Sequence, residues 1–361
     1  MGNVRLDMLL KNDIKKLALC QGAQLVAMAG VEAYVDYLAE VEKRLRETGV
    51  QLEDYMASPV ENMPGPRDMS FFRHLSDARN TLSNVKTIII LGVYAYDEKA
   101  VYKNTRQELR GKTARTYSYY PVVRQIAEHL VSFLEEQGHK AIQGQNVPLK
   151  FVADRIGIGA YGKNGILQTP TYGSYIALRN IVTEAELEPD NFNKPSTNCE
   201  GCERCIKACP TGALYAPYKV NPKLCINPIT RSQTYIEPQI RSKMQNWIHG
   251  CDICQEVCPA NRNLICRQVD PRAGFDSSNH ASHKNLDGME RTPDLIELLT
   301  DKRPELIRRN AAIALANTSK AGPEATTALK EQLAGVSSEL KEYFTWAIEN
   351  NGFWSHNSMR S

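Results

Sequence analysis

The chain has 361 residues, of which 42% are hydrophobic and 24% are charged, and its formal net charge is +3. This composition is typical of a folded globular protein and excludes a disordered or collagen-like chain, while so small a charge does not by itself predict a nucleic-acid partner. No apolar run approaches the roughly 18 residues that a transmembrane helix needs. The first residues lack the pattern of a secretory signal, which predicts a cytoplasmic protein whose thiols stay reduced.

Helical and strand patterns alternate through residues 1–194, which favours an α/β layer domain. Residues 10–50 carry apolar side chains at helical spacing. The segment from Val85 to Tyr96 is apolar without alternation, which predicts a strand buried on both of its faces. Pro121 is expected to open a helix that ends at Gly138 in the left-handed conformation.

Three further segments follow this first domain. Residues 195–267 are rich in Cys, Pro and Gly and are expected to need metal in order to fold. Residues 268–291 are polar and are expected to form a linker. Residues 292–352 begin with a helix start at Thr292 and carry three or four short amphipathic helices, which indicates an α-solenoid fragment, and residues 353–361 are expected to be a tail.

Eight of the ten cysteines fall between Cys199 and Cys258, and their spacing is that of an iron–sulfur protein. The first run has the C-x2-C-x2-C-x3-C-P spacing of bacterial ferredoxins, in which the fourth cysteine binds a second cluster. The second run repeats the ending with one leading cysteine fewer, and Cys225 lies between the runs to supply the missing thiolate. Zinc is the competing metal, since paired C-x2-C units also bind it.

The spacing predicts two four-cysteine sets that serve two 4Fe–4S clusters with no ligand left over. The remaining cysteines, Cys20 and Cys266, are expected to be small buried hydrophobic residues. The first predicted set is Cys199, Cys202, Cys205 and Cys258, and the second is Cys209, Cys225, Cys251 and Cys254.

Further motifs around the cysteines resemble those of a known family. They are Ile158 to Leu167 (IGAYGKNGIL), Tyr172 to Ser174, Leu187 to Asp190, the second cysteine run with His249 before it, and Arg308 to Asn317. On these residues the sequence is similar to epoxyqueuosine reductases, cobalamin-dependent iron–sulfur enzymes of tRNA queuosine synthesis that are related to reductive dehalogenases. The resemblance covers roughly residues 85–350 and is strongest over 150–260.

The resemblance implies an α/β (α+β) corrinoid-binding domain over 1–194, a bacterial ferredoxin-like double-cluster domain over 195–267 and a HEAT-like helical domain over 292–352. It also implies an oxidoreductase that removes the epoxide oxygen of epoxyqueuosine as water, with base-off cobalamin and two 4Fe–4S clusters as cofactors. The glycines are expected to admit a flat corrinoid close to the backbone. The residues expected to bind the corrinoid are Gly159, Gly162, Lys163, Asn164, Tyr172 and Ser174.

The sequence departs from the family where a proton donor is expected. Asn146 stands where the family has an aspartate, and an amide does not release a proton as a carboxylic acid does. Tyrosine is an acid in reductive dehalogenases, so Tyr117 and Tyr119, before the predicted helix, are candidates for this role together with Asn146.

The expected partners are tRNA, bound through the C-terminal helices, and an external low-potential electron donor, with no membrane and a monomeric chain. Arg308 and Arg309 are expected either to contact phosphate or to form an ordinary solvated helix face. Two alternatives remain at this point. One is a dehalogenase-like or other corrinoid reductase of a small molecule, and the other is a non-catalytic electron carrier with two clusters.

Overall fold

The structure, a computed structural model, describes residues 2–48, 76–95, 109–144, 146–197, 199–262, 293–300, 303–318 and 322–350. Four predictions fall outside the described residues: the linker 268–291, the helix start at Thr292, the tail 353–361 and the burial of Cys266. The strands are β1 (Leu25–Gly30), β2 (Thr87–Tyr94), β3 (Lys112–Thr113), β4 (Ala141–Gln143), β5 (Ala160–Tyr161), β6 (Leu167–Gln168), β7 (Ile176–Thr183), β8 (Leu214–Ala216), β9 (Lys219–Val220) and β10 (Trp247–His249). The helices are α1 (Gly2–Cys20), α2 (Tyr37–Thr48), α3 (Arg115–Glu136), α4 (Leu149–Arg155), α5 (Arg204–Ala208), α6 (Ile226–Ile229), α7 (Pro238–Arg241), α8 (Ile253–Glu256), α9 (Glu305–Ala316), α10 (Gly322–Leu333) and α11 (Ser338–Asn350).

The first part of the chain forms a four-stranded sheet in the order β1-β2-β7-β4, with every neighbouring pair antiparallel. Alternate residues of β2 point to opposite faces of this sheet. Ile89 and Leu91 pack in one core with α1 and α3, whereas Ile88 and Ile90 pack in a second core with α4. Because both faces are covered, every residue of β2 is buried. The prediction of a strand buried on both faces is thus confirmed over Thr87–Tyr94, while Tyr96 lies outside the described residues.

Two predictions in this domain are corrected. The helical pattern of residues 10–50 holds for α1 and α2, but Leu25–Gly30 between them is the strand β1, which pairs with β2 along its whole length. The helix predicted to open at Pro121 begins six residues earlier, because Asp252 from the cysteine-rich segment accepts a hydrogen bond from the Arg115 N–H at the helix start. Its end is as predicted, since Gly138 adopts a φ of +85° just after the last turn.

Asp190 fastens the first helix to the sheet. Its carboxylate lies 2.9 Å from Lys11 Nζ and 2.8 Å from Lys15 Nζ, and it accepts a hydrogen bond from the Met28 N–H at 2.9 Å. Burial alone would raise the pKa of Asp190, but these hydrogen bonds from Lys15, Lys11 and Met28 hold it below its ordinary value of 3.8.

Asp190→Asn is therefore expected to destabilise the protein by about 1–3 kcal/mol at neutral pH. Because the folded pKa is lowered, this stabilisation is present above pH 3.8 and is lost as the pH falls through the folded pKa. Denaturant unfolding of both proteins at about pH 7 and at about pH 3 measures the difference, which should shrink at the lower pH. Asp13→Asn on the exposed face of α1 is the control, and an equal loss in both variants would contradict the account.

The C-terminal part is helical, as predicted. Helices α9, α10 and α11 share one core with Ile248 of β10. The first helix predicted there is instead a single 3-10 turn, Glu297–Leu299, capped by Asp294, whose carboxylate accepts hydrogen bonds from the N–H groups of Ile296 and Glu297. Within the described ranges, no helix is long and apolar enough to cross a membrane.

Arg308 and Arg309 point into the protein, so the expectation that they contact phosphate or solvent is wrong. Arg309 is only 5% exposed and donates hydrogen bonds to the carbonyl oxygens of Ile229 and Thr234. Arg308 donates to the carbonyl oxygen of Leu299. Both arginines thus satisfy backbone carbonyl groups, Arg309 those of the cysteine-rich segment on which α9 packs.

Candidate metal centre

The eight predicted cysteine ligands lie on two short helices and the loops beside them. Cys205 is in α5, Cys254 is in α8, and Cys225 and Cys258 immediately precede helical turns. All eight are free thiols, and Cys258 alone among them is buried. Within the described ranges no group of three or more His, Cys, Asp or Glu side chains is arranged to hold one metal ion. Cys20 is exposed, so the prediction that it is buried is wrong.

Thiols of the first predicted set lie within electrostatic range of one another. Burial raises the pKa of Cys205, and the charges of Cys258 and Cys199 raise it further. Burial likewise raises the pKa of Cys258, with contributions from Cys199 and Cys202. Cys258 is thus brought to the first run from about fifty residues further along the chain.

Burial also shifts the pKa values of three thiols of the second predicted set. Burial raises the pKa of Cys225 to about 11, with a further contribution from the charge of Cys209. Burial also raises the pKa of Cys251, which interacts with Cys254 and Cys225. Burial raises the pKa of Cys254, which interacts with Cys225 and with Cys209. A metal that binds these thiols has to displace their protons.

A buried ion pair joins the second cysteine run to the α/β sheet domain. Asp252 is 0% exposed, and its carboxylate lies 3.5 Å from an Arg115 guanidinium nitrogen and accepts the Arg115 N–H at 2.8 Å. Glu256 lies 3.6 Å from the same guanidinium, which stacks over the ring of Tyr175. The start of α3 is therefore fixed to the loop that carries Cys251 and Cys254.

Ser174 belongs to a second polar connection between the same two parts. Its hydroxyl donates to Gln255 Oε1 at 2.8 Å and accepts from Asn261 Nδ2 at 2.9 Å, while its N–H donates to Asn261 Oδ1. These bonds satisfy the Ser174 hydroxyl within the protein. Ser174, expected from the resemblance to bind the corrinoid, thus holds the second cysteine run against the sheet domain.

The glycine-rich segment packs closely against neighbouring parts of the protein. A Cβ at Gly159 would meet the Gln168 carbonyl oxygen at 2.5 Å, and one at Gly162 would meet Gln168 Nε2 at 2.3 Å. Lys163 donates a hydrogen bond from Nζ to the Cys202 carbonyl oxygen at 3.0 Å. The space beside these two glycines is occupied by protein, and the described contact of Lys163 is with the first cysteine run.

Two buried amide donors have no partner within the described part of the chain. They are Asn164 Nδ2, on the glycine-rich turn, and Asn180 Nδ2, in β7 beneath Gly144. A buried donor without a partner costs free energy, so each suits a ligand that accepts a hydrogen bond. Tyr172, on the neighbouring loop, is buried and packs against the ring of Tyr94 at 5.2 Å between centroids.

The three candidate proton donors have different surroundings. Tyr119 is 1% exposed and lies in the core between the sheet and α3. The Tyr117 hydroxyl donates to Asn227 Oδ1 and accepts from Arg231, and the ring packs on the neutral, buried His249, whose pKa burial lowers to about 3. Asn146 is half-buried in the loop before α4.

Comparison with known proteins identifies the family. Residues 198–261 match the family model of the 4Fe-4S double cluster binding domain. The epoxyqueuosine reductase of Listeria monocytogenes is 33% identical over 227 residues, which cover 59% of this chain and 58% of that protein. That of Bacillus subtilis strain 168 is 34% identical over 289 residues, which cover 75% of this chain and 73% of that protein. This chain belongs to the epoxyqueuosine reductase family.

A solved epoxyqueuosine reductase, crystallised with a tRNA-Tyr epoxyqueuosine-modified stem loop, shares the fold. Its TM-score is 0.67 at 22% identity, over 95% of this chain and 99% of that one. The sequence-based expectations of an epoxyqueuosine reductase relative, of an oxidoreductase and of two 4Fe–4S clusters are confirmed. The mixed α/β architecture with a double-cluster segment and a helical C-terminus is confirmed at that level of detail.

Sequence reasoning missed several residues of this family member's site. Arg115 and Asp252 are 137 residues apart in sequence, and no local motif joins them. Gln168 follows the glycine motif but carries no pattern of its own.

Proposed function

We propose that this protein reduces epoxyqueuosine to queuosine in tRNA, using two 4Fe–4S clusters and a base-off cobalamin. The observation that carries the proposal is family membership, and eight free thiols within the double-cluster segment support it. A double-cluster segment that is packed onto an α/β domain through Asp252 and Ser174 supports electron delivery into that domain.

The proposed ligands are the two sets predicted from the spacing. Electrostatic contact of Cys258 with Cys199 and Cys202 supports the first set, and contact of Cys225 with Cys209 and of Cys251 with Cys254 supports the second. Cys254 also interacts with Cys205, which supports a short path between the two clusters.

The proposed corrinoid site lies along the glycine-rich turn and the loop that follows it. Asn164 Nδ2 supplies a buried donor for an amide arm of the corrinoid, and Tyr172 supplies an apolar wall. Gly159 and Gly162 shape the turn from within, and Lys163 and Ser174 hold it against the cysteine runs. When bound, cobalamin supplies the strongly reducing centre that this chemistry needs.

The proposed substrate side of the site is the loop that holds Asn146. Asn180 lies beneath Gly144 of this loop and supports its shape. Asn146 donates and accepts hydrogen bonds, so it orients the epoxide while the proton comes from another acid. Tyr117 remains the proposed acid, because its hydroxyl is partly buried and polarised by the Arg231 guanidinium that donates to it. Tyr119 supports the helix that carries Tyr117 from within the core.

We further propose the division into a corrinoid domain over 1–194, a ferredoxin-like domain over 195–267, a linker over 268–291 and a HEAT-like domain over 292–352. The packing of α9, α10 and α11 around one core supports the helical unit. The solved relative with a tRNA stem loop supports tRNA as the substrate. With Arg308 and Arg309 buried, the contact with tRNA must be made by other residues.

The test is the nucleoside composition of tRNA from a strain that lacks this protein. Epoxyqueuosine should accumulate in place of queuosine, and expression of the intact protein should restore queuosine. A deletion strain with normal queuosine would contradict the proposed substrate. Complementation by Tyr117→Phe at the wild-type level would contradict the proposed acid.

A further inference from the structure

The Gln168 side chain reaches from the glycine-rich segment to a cysteine ligand. Gln168 ends β6, which pairs with β5 at Ala160, and the residue is 6% exposed. Its amide nitrogen Nε2 lies 3.5 Å from Cys258 Sγ, within the distance of an N–H···S hydrogen bond. The contact joins residues that are 90 positions apart in sequence and belong to different segments of the fold.

Cys258 is a sulfur at which such a bond matters. The residue is only 8% exposed, so little water is available to stabilise negative charge there. A hydrogen bond to an ionised sulfur is stronger where the surroundings are poorly solvated. Hydrogen bonds to cluster sulfurs raise the reduction potential, because the reduced cluster carries more negative charge.

Gly162 provides the room for this amide. A Cβ at position 162 would lie 2.3 Å from Gln168 Nε2 and 2.9 Å from Asn164 Oδ1. Gly162 is not among the glycines with positive φ, so its backbone conformation is open to alanine. Glycine at position 162 therefore leaves free the space that the Gln168 amide fills.

We propose that Gln168 is a positioning residue that sets the reduction potential of the cluster held by Cys199, Cys202, Cys205 and Cys258, and that Gly162 keeps its amide on Cys258. The inference rests on the cluster ligands proposed above and is independent of the tRNA substrate. The role of Gln168 is to keep the reduced form of this cluster accessible during electron delivery.

The test is an EPR-monitored redox titration of the anaerobically reconstituted full-length protein, without tRNA or cobalamin. Gln168→Met keeps the size and removes the donor. The ratio of reduced to oxidised cluster at a fixed potential should fall by up to about tenfold, equal to about 59 mV for a one-electron couple. The other cluster should keep its potential. Gln21→Met is the matched control, since the described hydrogen bond of Gln21 is with His129, and it should shift neither cluster.

Gly162→Ala should lower the reduction potential of the same cluster. It should add no further shift in the Gln168→Met background, because both changes remove the same hydrogen bond, that from Gln168 to Cys258. Pulsed EPR after exchange into D2O should show one deuteron coupling fewer in Gln168→Glu, which keeps the shape without the amide donor, while the backbone N–H groups of Ala260 and Asn261 still bond Cys258. With both clusters present, unchanged potentials and an unchanged deuteron coupling would overturn the inference while leaving the ligand sets standing. A wild-type protein without a cluster on Cys258 would overturn both.

Discussion

Cys225→Ser is expected to remove one cluster of the two and to abolish reduction. Cys225 is the cysteine between the two runs, and burial raises its pKa to about 11 in the metal-free protein. A serine hydroxyl there gives a far poorer ligand than a thiolate, so iron and sulfide should fall from about eight to about four atoms per chain. Iron and sulfide analysis with EPR on anaerobically purified protein measures this.

Cys20→Ser is the matched control, because Cys20 is exposed and belongs to neither set. It should keep both clusters and full activity. Cys258→Ser should instead remove the cluster of the first run and leave the EPR signal that Cys225→Ser eliminates. If Cys225→Ser and Cys258→Ser lost the same EPR signal, the two cysteines would bind the same cluster. The predicted sets, in which Cys258 joins the first run and Cys209 joins the second, would then be wrong.

Asp252→Ala should have the second largest effect, a loss of about 3–5 kcal/mol in the free energy of unfolding. Removal of this carboxylate leaves the buried Arg115 guanidinium with the more exposed Glu256 as its carboxylate partner at 3.6 Å, and it removes the cap on the first turn of α3. The loop between Cys251 and Cys254 loses one of its two polar connections to the sheet domain at the same time, and the connection through Ser174 remains. Anaerobic thermal unfolding of the cluster-loaded protein, with iron content recorded alongside, measures both consequences.

Asp77→Ala serves for comparison, since Asp77 pairs with the exposed Arg79 near the surface. Such a pair contributes about 0–1 kcal/mol, so the two aspartates should differ by several-fold in their effect. Equal effects would show that the buried pair at Arg115 is not what fixes the cysteine-rich segment to the sheet domain.

The cluster chemistry was predictable because its signal is local. A cluster loop requires cysteines at fixed short spacing, so the sequence alone predicts two clusters, and the double-cluster family match confirms them. The division into two ligand sets stays a prediction. The buried strand β2 was equally clear, because its unbroken apolar run demands cover on both faces.

Other features of the fold and of the site could not be predicted, because they depend on contacts between distant parts of the chain. The helical spacing of residues 10–50 gave no sign of β1, which is a strand because β2 offers it a partner along its whole length. Arg309 resembles a surface cation in sequence, yet α9 packs so that it satisfies carbonyl oxygens of Ile229 and Thr234. Gln168 has no motif, and its contact with Cys258 exists only in the folded chain.

The most direct test of the central claim is a single-turnover assay with purified components. The protein, loaded anaerobically with iron, sulfide and cobalamin, is mixed with a low-potential reductant and an anticodon stem loop that carries epoxyqueuosine. Mass spectrometry of the nucleosides should show loss of one oxygen atom and formation of queuosine. Epoxyqueuosine that stays unchanged, in a protein shown to hold both clusters and cobalamin, would contradict the account.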